Sequence, residues 1–96
     1  MGSYSLSKKA DFDLEELYEY GILNFGLKRA KIYIIGLHER FEDLANSPGF
    51  GRCASQYALK LRRFEYKSHV IFYIITDTGI FIVRVLGVRM DFRQHI

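Results

Sequence analysis

The stretch that decides the fold runs from residue 69 to residue 86 and reads HVIFYIITDTGIFIVRVL. Its two halves are β-branched and aromatic, and the polar segment Thr76–Gly79 between them has the composition of a hairpin turn. Each half is apolar at both odd and even positions, so both faces of the predicted sheet are apolar. Helices on one side would cover only one face. We therefore predict a central β-hairpin whose second face is exposed and receives a partner; the alternative is that a terminal strand or a loop of the chain covers it.

Two amphipathic helices are predicted before this hairpin. Ser7 is a suitable N-cap for the first helix, and Gly26 ends it. The second carries one apolar stripe and ends at Ser47-Pro48-Gly49. Two amphipathic helices joined by so short a turn are expected to pack as an antiparallel hairpin.

Further strands are predicted at residues 4–6 and 58–66, the latter alternating with Leu59 and Leu61 on one face. The sequence predicts an α+β fold in which an N-terminal helix hairpin packs on one face of a small antiparallel β-sheet. Residues 1–96 are expected to form a single domain.

Charge is unevenly distributed along the chain. The formal net charge is only +3, but residues 51–96 carry eight Lys and Arg against three acidic residues, whereas residues 1–50 carry six basic and eight acidic. The C-terminal half is therefore expected to face an acidic partner. One cysteine, Cys53, and the absence of a signal-like N-terminal segment indicate a cytoplasmic protein without a membrane span. The three histidines have no metal-ligand spacing, and no cofactor is expected.

Motifs along nearly the whole chain resemble the RelE/ParE toxin superfamily, and in particular its ParE branch. The helical half matches in the spacing of Tyr18-Glu19, Phe25-Gly26, Ala30, Tyr33, Leu37, Phe41, Leu44-Ala45, Pro48 and Gly51-Arg52. The strand half matches in Arg63-Phe64, residues 69–73, Val83-Arg84-Val85-Leu86 and Arg89-Met90-Asp91. One departure is Gly87, which stands where most ParE-like sequences have a histidine.

The resemblance implies the toxin of a type II toxin–antitoxin system that inhibits DNA gyrase by binding. It also implies a hetero-oligomer with a ParD-like antitoxin, through which the toxin reaches operator DNA indirectly. For the target contacts we predict Arg89, Met90, Asp91 and Arg93 in the basic tail. For the antitoxin contacts we predict an apolar sheet face formed by Phe64, Val70, Phe72, Phe81 and Val83.

The alternative is a RelE-like ribonuclease that cleaves messenger RNA on the ribosome. Phosphodiester cleavage needs cations and proton carriers around the scissile phosphate, and His95 together with Arg62 and Arg63 offers some of them. The RelE pattern also places a basic residue on the central strand, where this chain has Val70. The sequence therefore favours a toxin that is not an enzyme. Within the hairpin, Arg84 is predicted to be structural and paired with a carboxylate or with carbonyls.

Overall fold

The computed structural model describes residues 2–96. Its elements in chain order are β1 (Ser3–Leu6), α1 (Lys8–Phe25), α2 (Leu27–Asn46), a 3₁₀ turn (Pro48–Phe50), β2 (Arg52–Cys53), β3 (Arg62–Tyr66), β4 (His69–Thr76), β5 (Gly79–Gly87) and α3 (Phe92–His95). The five strands form one sheet in the order β1-β5-β4-β3-β2. The predicted α+β architecture, a helix hairpin on a small sheet, is confirmed.

Local signals explain where the helices begin and end. The Ser7 hydroxyl accepts the amide of Ala10 at 2.9 Å and donates to the carbonyl of Val83 at 2.7 Å. It therefore caps α1 and fixes the start of that helix to β5. Gly26 has a φ of 90°, a backbone conformation that glycine adopts easily, and the chain turns there directly into α2.

The sheet is antiparallel except at one edge. Strands β2 to β5 form an antiparallel meander, whereas β1 runs parallel to β5 and pairs Ser3 with Gly79. Gly79 is required there because a Cβ would lie 1.9 Å from the carbonyl oxygen of Ser3. The N-terminal strand thus closes the sheet beside the central hairpin.

A β-bulge between β4 and β5 sets which residues share a face. The register shifts between Phe72 and Tyr73, so Phe72 pairs with Arg84 and Tyr73 pairs with Ile82. As a result Val85 joins the helix-facing core with Ile82. Strict alternation along β5 would place Val85 on the opposite face with Phe81 and Val83, but the bulge reverses the alternation.

The main core lies between the helix hairpin and the first face of the sheet. Leu37, Phe41 and Leu44 of α2 are fully buried there, as are Ile71 and Tyr73 of β4. These are the stripe positions of the predicted second helix. In α1, by contrast, Phe25 is 59% exposed although the pattern placed it on the buried stripe.

The second face of the sheet is covered by the chain itself, which contradicts the prediction of an exposed apolar face. Val70 and Phe72 are fully buried beneath the β2–β3 loop (residues 54–61) and the C-terminal segment (residues 92–96). The ring of Phe72 lies 5.0 Å from that of Phe92 and 6.0 Å from that of Tyr57. Both covering segments are short, one being an irregular loop and the other the four-residue helix α3, and no sequence periodicity marks them.

The β2–β3 loop replaces the first part of the predicted strand 58–66. Lys60 has a left-handed φ of 63°, which ends any extended run, and strand β3 begins only at Arg62. Leu59 and Leu61 therefore do not share a face. Leu61 is 2% exposed in the second core, whereas Leu59 is 84% exposed.

Tyr73 provides a test of this packing. Its buried hydroxyl donates to the Pro48 carbonyl at 2.7 Å and accepts the Gly51 amide at 2.9 Å. We expect Tyr73→Phe to destabilise the protein by about 1–3 kcal/mol, because two polar groups lose their partner. Urea unfolding measures this change. Tyr57→Phe is the control, since the Tyr57 hydroxyl has no hydrogen-bond partner identified within residues 2–96, and equal midpoints for the two variants would contradict the expectation.

Across residues 2–96, no helix is long and apolar enough to cross a membrane. The same residues contain no group of three His, Cys, Asp or Glu side chains that could hold a metal ion.

A candidate partner-binding groove between the helix hairpin and the sheet

A groove of about 630 Å³ opens between the far end of the helix hairpin and the end of β5. The lining is mostly apolar and comes from both helices, from the β3–β4 turn, from β5 and from the segment after it. The lining residues are Asp13, Glu16, Leu17, Tyr20, Gly21, Phe25, Arg29, Ala30, Tyr33, Ser68, His69, Val85, Leu86, Gly87 and Met90. Tyr20, Phe25 and Met90 are 62%, 59% and 40% exposed. Apolar side chains at the rim of an apolar groove are typical of a protein-binding site.

Tyr33 and His69 form a hydrogen-bonded pair in the wall of the groove. The Tyr33 hydroxyl lies 2.7 Å from His69 Nδ1, and the two rings meet edge to face. Burial lowers the pKa of His69 and raises the pKa of Tyr33, so both side chains are held in their neutral forms. A neutral imidazole carries one N–H, so the tautomer of His69 decides whether Nδ1 accepts from the Tyr33 hydroxyl or donates to it.

One carboxylate of the groove is already engaged. Asp13 accepts two hydrogen bonds from the Arg84 guanidinium, both at 2.8 Å, and one from the Val85 amide at 3.1 Å. The prediction that Arg84 pairs with a carboxylate is confirmed, and that pairing raises the pKa of Arg84. Arg84 also donates to the His95 carbonyl at 2.5 Å, so it ties α1 to the C-terminal segment.

The four predicted target-binding residues are all exposed near the C-terminus, but their local contacts differ. Arg89 and Arg93 are exposed, and the Arg93 guanidinium lies 5.9 Å from the centre of the Tyr57 ring. Asp91 caps α3 by accepting the Arg93 amide at 3.1 Å. Met90 lines the groove, and its sulfur accepts the Gly87 amide at 3.2 Å.

The five predicted antitoxin-binding residues are also divided. Phe64 pairs with Ile71, packs against the helix-facing core and stacks on Phe50 at 5.9 Å. Val70 and Phe72 are buried under the chain's own covering segments. Phe81 and Val83 remain partly exposed on the second face. The five residues do not form one exposed surface, because Phe64 faces the helices with its cross-strand partner Ile71, while Val70 and Phe72 are covered.

Residues 4–92 match the model of a protein family described as the ParE toxin of the type II toxin–antitoxin system parDE. The chain belongs to the ParE toxin family. Toxin ParE1 of Caulobacter vibrioides is 32% identical over 96 residues, covering 100% of this chain and 99% of the relative. Toxin ParE1 of Mycobacterium tuberculosis (strain CDC 1551 / Oshkosh) is 32% identical over 94 residues, covering 97% and 96%.

The fold of this ParE-family chain is similar to that of a chain in the chromosomal ParDE TA system from P. aeruginosa. The TM-score is 0.79 at 19% identity, and the match covers 93% of this chain and 98% of the other. Both the family and the architecture predicted from the sequence are therefore confirmed.

Sequence patterns did not identify the groove in this ParE-family chain. Tyr20, Phe25 and Tyr33 look like core residues when only helical spacing is considered, and nothing in the sequence links them to His69 or Gly87. One signal was available. Tyr20, Leu23 and Phe25 lie near the end of α1 and point to several sides of the helix. One buried stripe requires fewer large apolar residues than this.

The His69 pair predicts a pH dependence. The unfolded chain binds a proton at His69 near pH 6.5, whereas the folded chain binds it only at lower pH because burial lowers the pKa. The contribution of neutral His69 to the unfolding free energy is therefore fully present above about pH 6.5, and it falls as the pH drops toward the folded pKa. We expect the parent to lose more unfolding free energy than His69→Gln when the pH falls from 7.5 to 5. A difference independent of pH would contradict this.

Proposed function

We propose that this toxin inhibits DNA gyrase by binding rather than by catalysis, and that a ParD-like antitoxin neutralises it. The observation that carries the non-catalytic part is the covering of Val70. The RelE pattern needs a cation at this position of the central strand, and here the side chain is apolar, fully buried and packed under residues 54–61 and 92–96. A scissile phosphate would have neither access nor charge stabilisation there.

The groove is our candidate for the antitoxin site. A C-terminal antitoxin segment that folds on binding would insert apolar side chains beside Tyr20 and Ala30. The groove also offers charges of both signs, with Glu16 on one wall and Arg29 on the other. An apolar segment with flanking charges fits this lining. Phe81 and Val83 remain candidates for a second, smaller antitoxin contact on the sheet.

Antitoxin binding in the groove would also explain neutralisation. Met90 lines the groove, and it is adjacent in sequence to Arg89 and Asp91. Of the four proposed target contacts, Arg89 and Arg93 carry the positive field, while Asp91 holds α3 in place. A segment bound against Met90 would therefore obstruct the surface that approaches the target.

Charge reversal tests these target contacts. We expect Arg89→Glu combined with Arg93→Glu to raise the toxin level needed for growth arrest in bacteria by at least about tenfold. The reason is that rim charges steer and hold an acidic partner. Lys28→Glu with Lys31→Glu is the matched control, since both lysines are exposed and the charge change is equal. Growth arrest is scored with immunoblots for equal accumulation. Equal toxicity of both double variants would reject the tail as the target contact.

Production in bacteria with and without the antitoxin tests the proposed function as a whole. The chain alone is expected to arrest growth. Co-production of the small acidic protein expected from the adjacent upstream gene is expected to restore growth and to co-purify with the chain. A chain that leaves growth unaffected would contradict the proposal.

A further inference from the structure

The β2–β3 loop is closed at its base and presents its tip in a fixed position. The Ala54 amide donates to the Leu61 carbonyl at 2.8 Å, and two further turn bonds join Tyr57 to Ala54 and Leu61 to Ala58, each at 3.1 Å. Ala54 and Leu61 are both buried in the second core. The loop is therefore anchored to the second core at both of its ends.

The tip of this loop exposes a large apolar side chain, and the residue after it has a strained backbone conformation. Leu59 is 84% exposed, and Lys60 after it adopts a left-handed φ of 63°. This conformation is unfavourable for a residue with a Cβ and would suit glycine better. It returns the chain to the core at Leu61 and leaves Leu59 pointing away from it. Neither feature contributes to the stability of the fold.

Two arginines lie over aromatic rings of the second core, which the loop covers. The Arg63 guanidinium lies 5.3 Å from the centre of the Phe92 ring and 5.9 Å from that of Phe72. The Arg93 guanidinium lies over Tyr57, two residues before Leu59. The Arg63 charge is already paired with Glu65 at 3.0 Å. The Arg93 guanidinium is held by its cation–π contact, so less side-chain entropy is lost when it meets a partner. The loop is thus continuous with the proposed target contact Arg93.

We propose that Leu59 and Lys60, with Arg93 beside them, form a target-binding surface that inserts Leu59 into an apolar recess rimmed by carboxylates on the toxin's protein target. This proposal rests on the proposed function. An aliphatic anchor that fills a pocket, with cations beside it, is an arrangement that binding interfaces use. A protein partner fits better than a nucleic acid because burial of the Leu59 side chain requires an apolar recess.

Two pairs of matched variants test the surface. Leu59→Ser is compared with Leu23→Ser, since Leu23 is 85% exposed at the tip of the helix hairpin. Lys60→Gly is compared with Lys67→Gly, since Lys67 also has a left-handed φ, of 51°. Neither glycine variant is expected to lower Tm, because glycine relieves the backbone strain. Growth arrest, inhibition of gyrase supercoiling, Tm and antitoxin binding are measured for each.

We expect Leu59→Ser to raise the toxin level required for growth arrest by about 30-fold, and Lys60→Gly to raise it as well, with antitoxin binding and Tm kept. Leu23→Ser and Lys67→Gly should behave like the parent. Full toxicity of Leu59→Ser overturns the proposal, as does loss only in Lys60→Gly, which would indicate purely electrostatic docking on a nucleic acid. Failure of the parent chain itself to arrest growth would instead overturn the proposed function.

Discussion

Asp13→Ala is expected to destabilise the protein by about 3–5 kcal/mol, because it leaves the Arg84 guanidinium charged and without its partner in a nearly closed site. The side chains of Arg84 and Asp13 are only 13% and 11% exposed. A domain of this size has a total stability of roughly 5–15 kcal/mol. The variant should therefore unfold at much lower urea concentration, and the C-terminal segment held by Arg84 through the His95 carbonyl should become sensitive to protease.

The exposed ion pair of Arg40 and Asp43 provides the control. Its nitrogen and oxygen lie 3.0 Å apart, but the side chains are 36% and 58% exposed. Asp43→Ala is expected to change stability by less than about 1 kcal/mol. The combined variant Asp13→Leu with Arg84→Met should recover much of the loss, since no charge is then buried alone. Similar urea midpoints for Asp13→Ala and Asp43→Ala would contradict the role assigned to this pair.

Gly87→Trp is expected to reduce antitoxin affinity by about 100-fold, which corresponds to roughly 3 kcal/mol. Gly87 lines the groove, and its φ is not in the left-handed region. A Cβ there would lie 3.6 Å from the nearest side-chain atom of Met90, an ordinary contact. The indole can therefore be accommodated by the fold while it occupies space that the antitoxin segment needs. Isothermal titration with the purified antitoxin measures the effect.

Gly49→Trp is the matched control for the groove variant. Gly49 is exposed in the 3₁₀ turn outside the groove, and a Cβ added there meets nothing within 4 Å. It should bind antitoxin like the parent, and both variants should keep the parent's unfolding midpoint. In bacteria, Gly87→Trp should arrest growth even when antitoxin is co-produced. Unchanged affinity would show that the antitoxin binds elsewhere.

Most of the fold could be predicted from local signals. The Ser7 cap, the break at Gly26 and the turn Thr76–Gly79 each depend on residues close together in sequence, and the structure contains all three. The parallel pairing of β1 could not be predicted in this way. It joins Ser3 to Gly79 across most of the chain, and the requirement for glycine there is visible only once both strands are placed.

The error about the second sheet face has a specific cause. Alternation correctly showed that both faces of the hairpin are apolar, but it cannot show what lies over them. Phe92 and Tyr57 cover Phe72 from segments that are too short to have a period. Long-range packing of irregular segments leaves little trace in sequence, so the predicted exposed face was wrong although its composition was right.

The candidate site shows the same division between local and long-range information. The pairing of Arg84 was predictable because a charge within an apolar strand needs a partner, but the identity of that partner, Asp13, was not. The groove could not be predicted because its walls come from elements that are far apart in the sequence. The exposed position of Leu59 depends on the backbone of one residue, Lys60, whose left-handed φ replaces a strand with a tight loop.

Gyrase inhibition by binding is the central claim, and one paired assay tests it most directly. Purified chain is titrated into a reaction in which gyrase supercoils relaxed plasmid, and in parallel into a translating extract in which messenger RNA ends are mapped. We expect supercoiling to stop, antitoxin to restore it, and the messenger RNA to stay intact. Ribosome-dependent cuts in the messenger RNA with unaffected supercoiling would contradict the account.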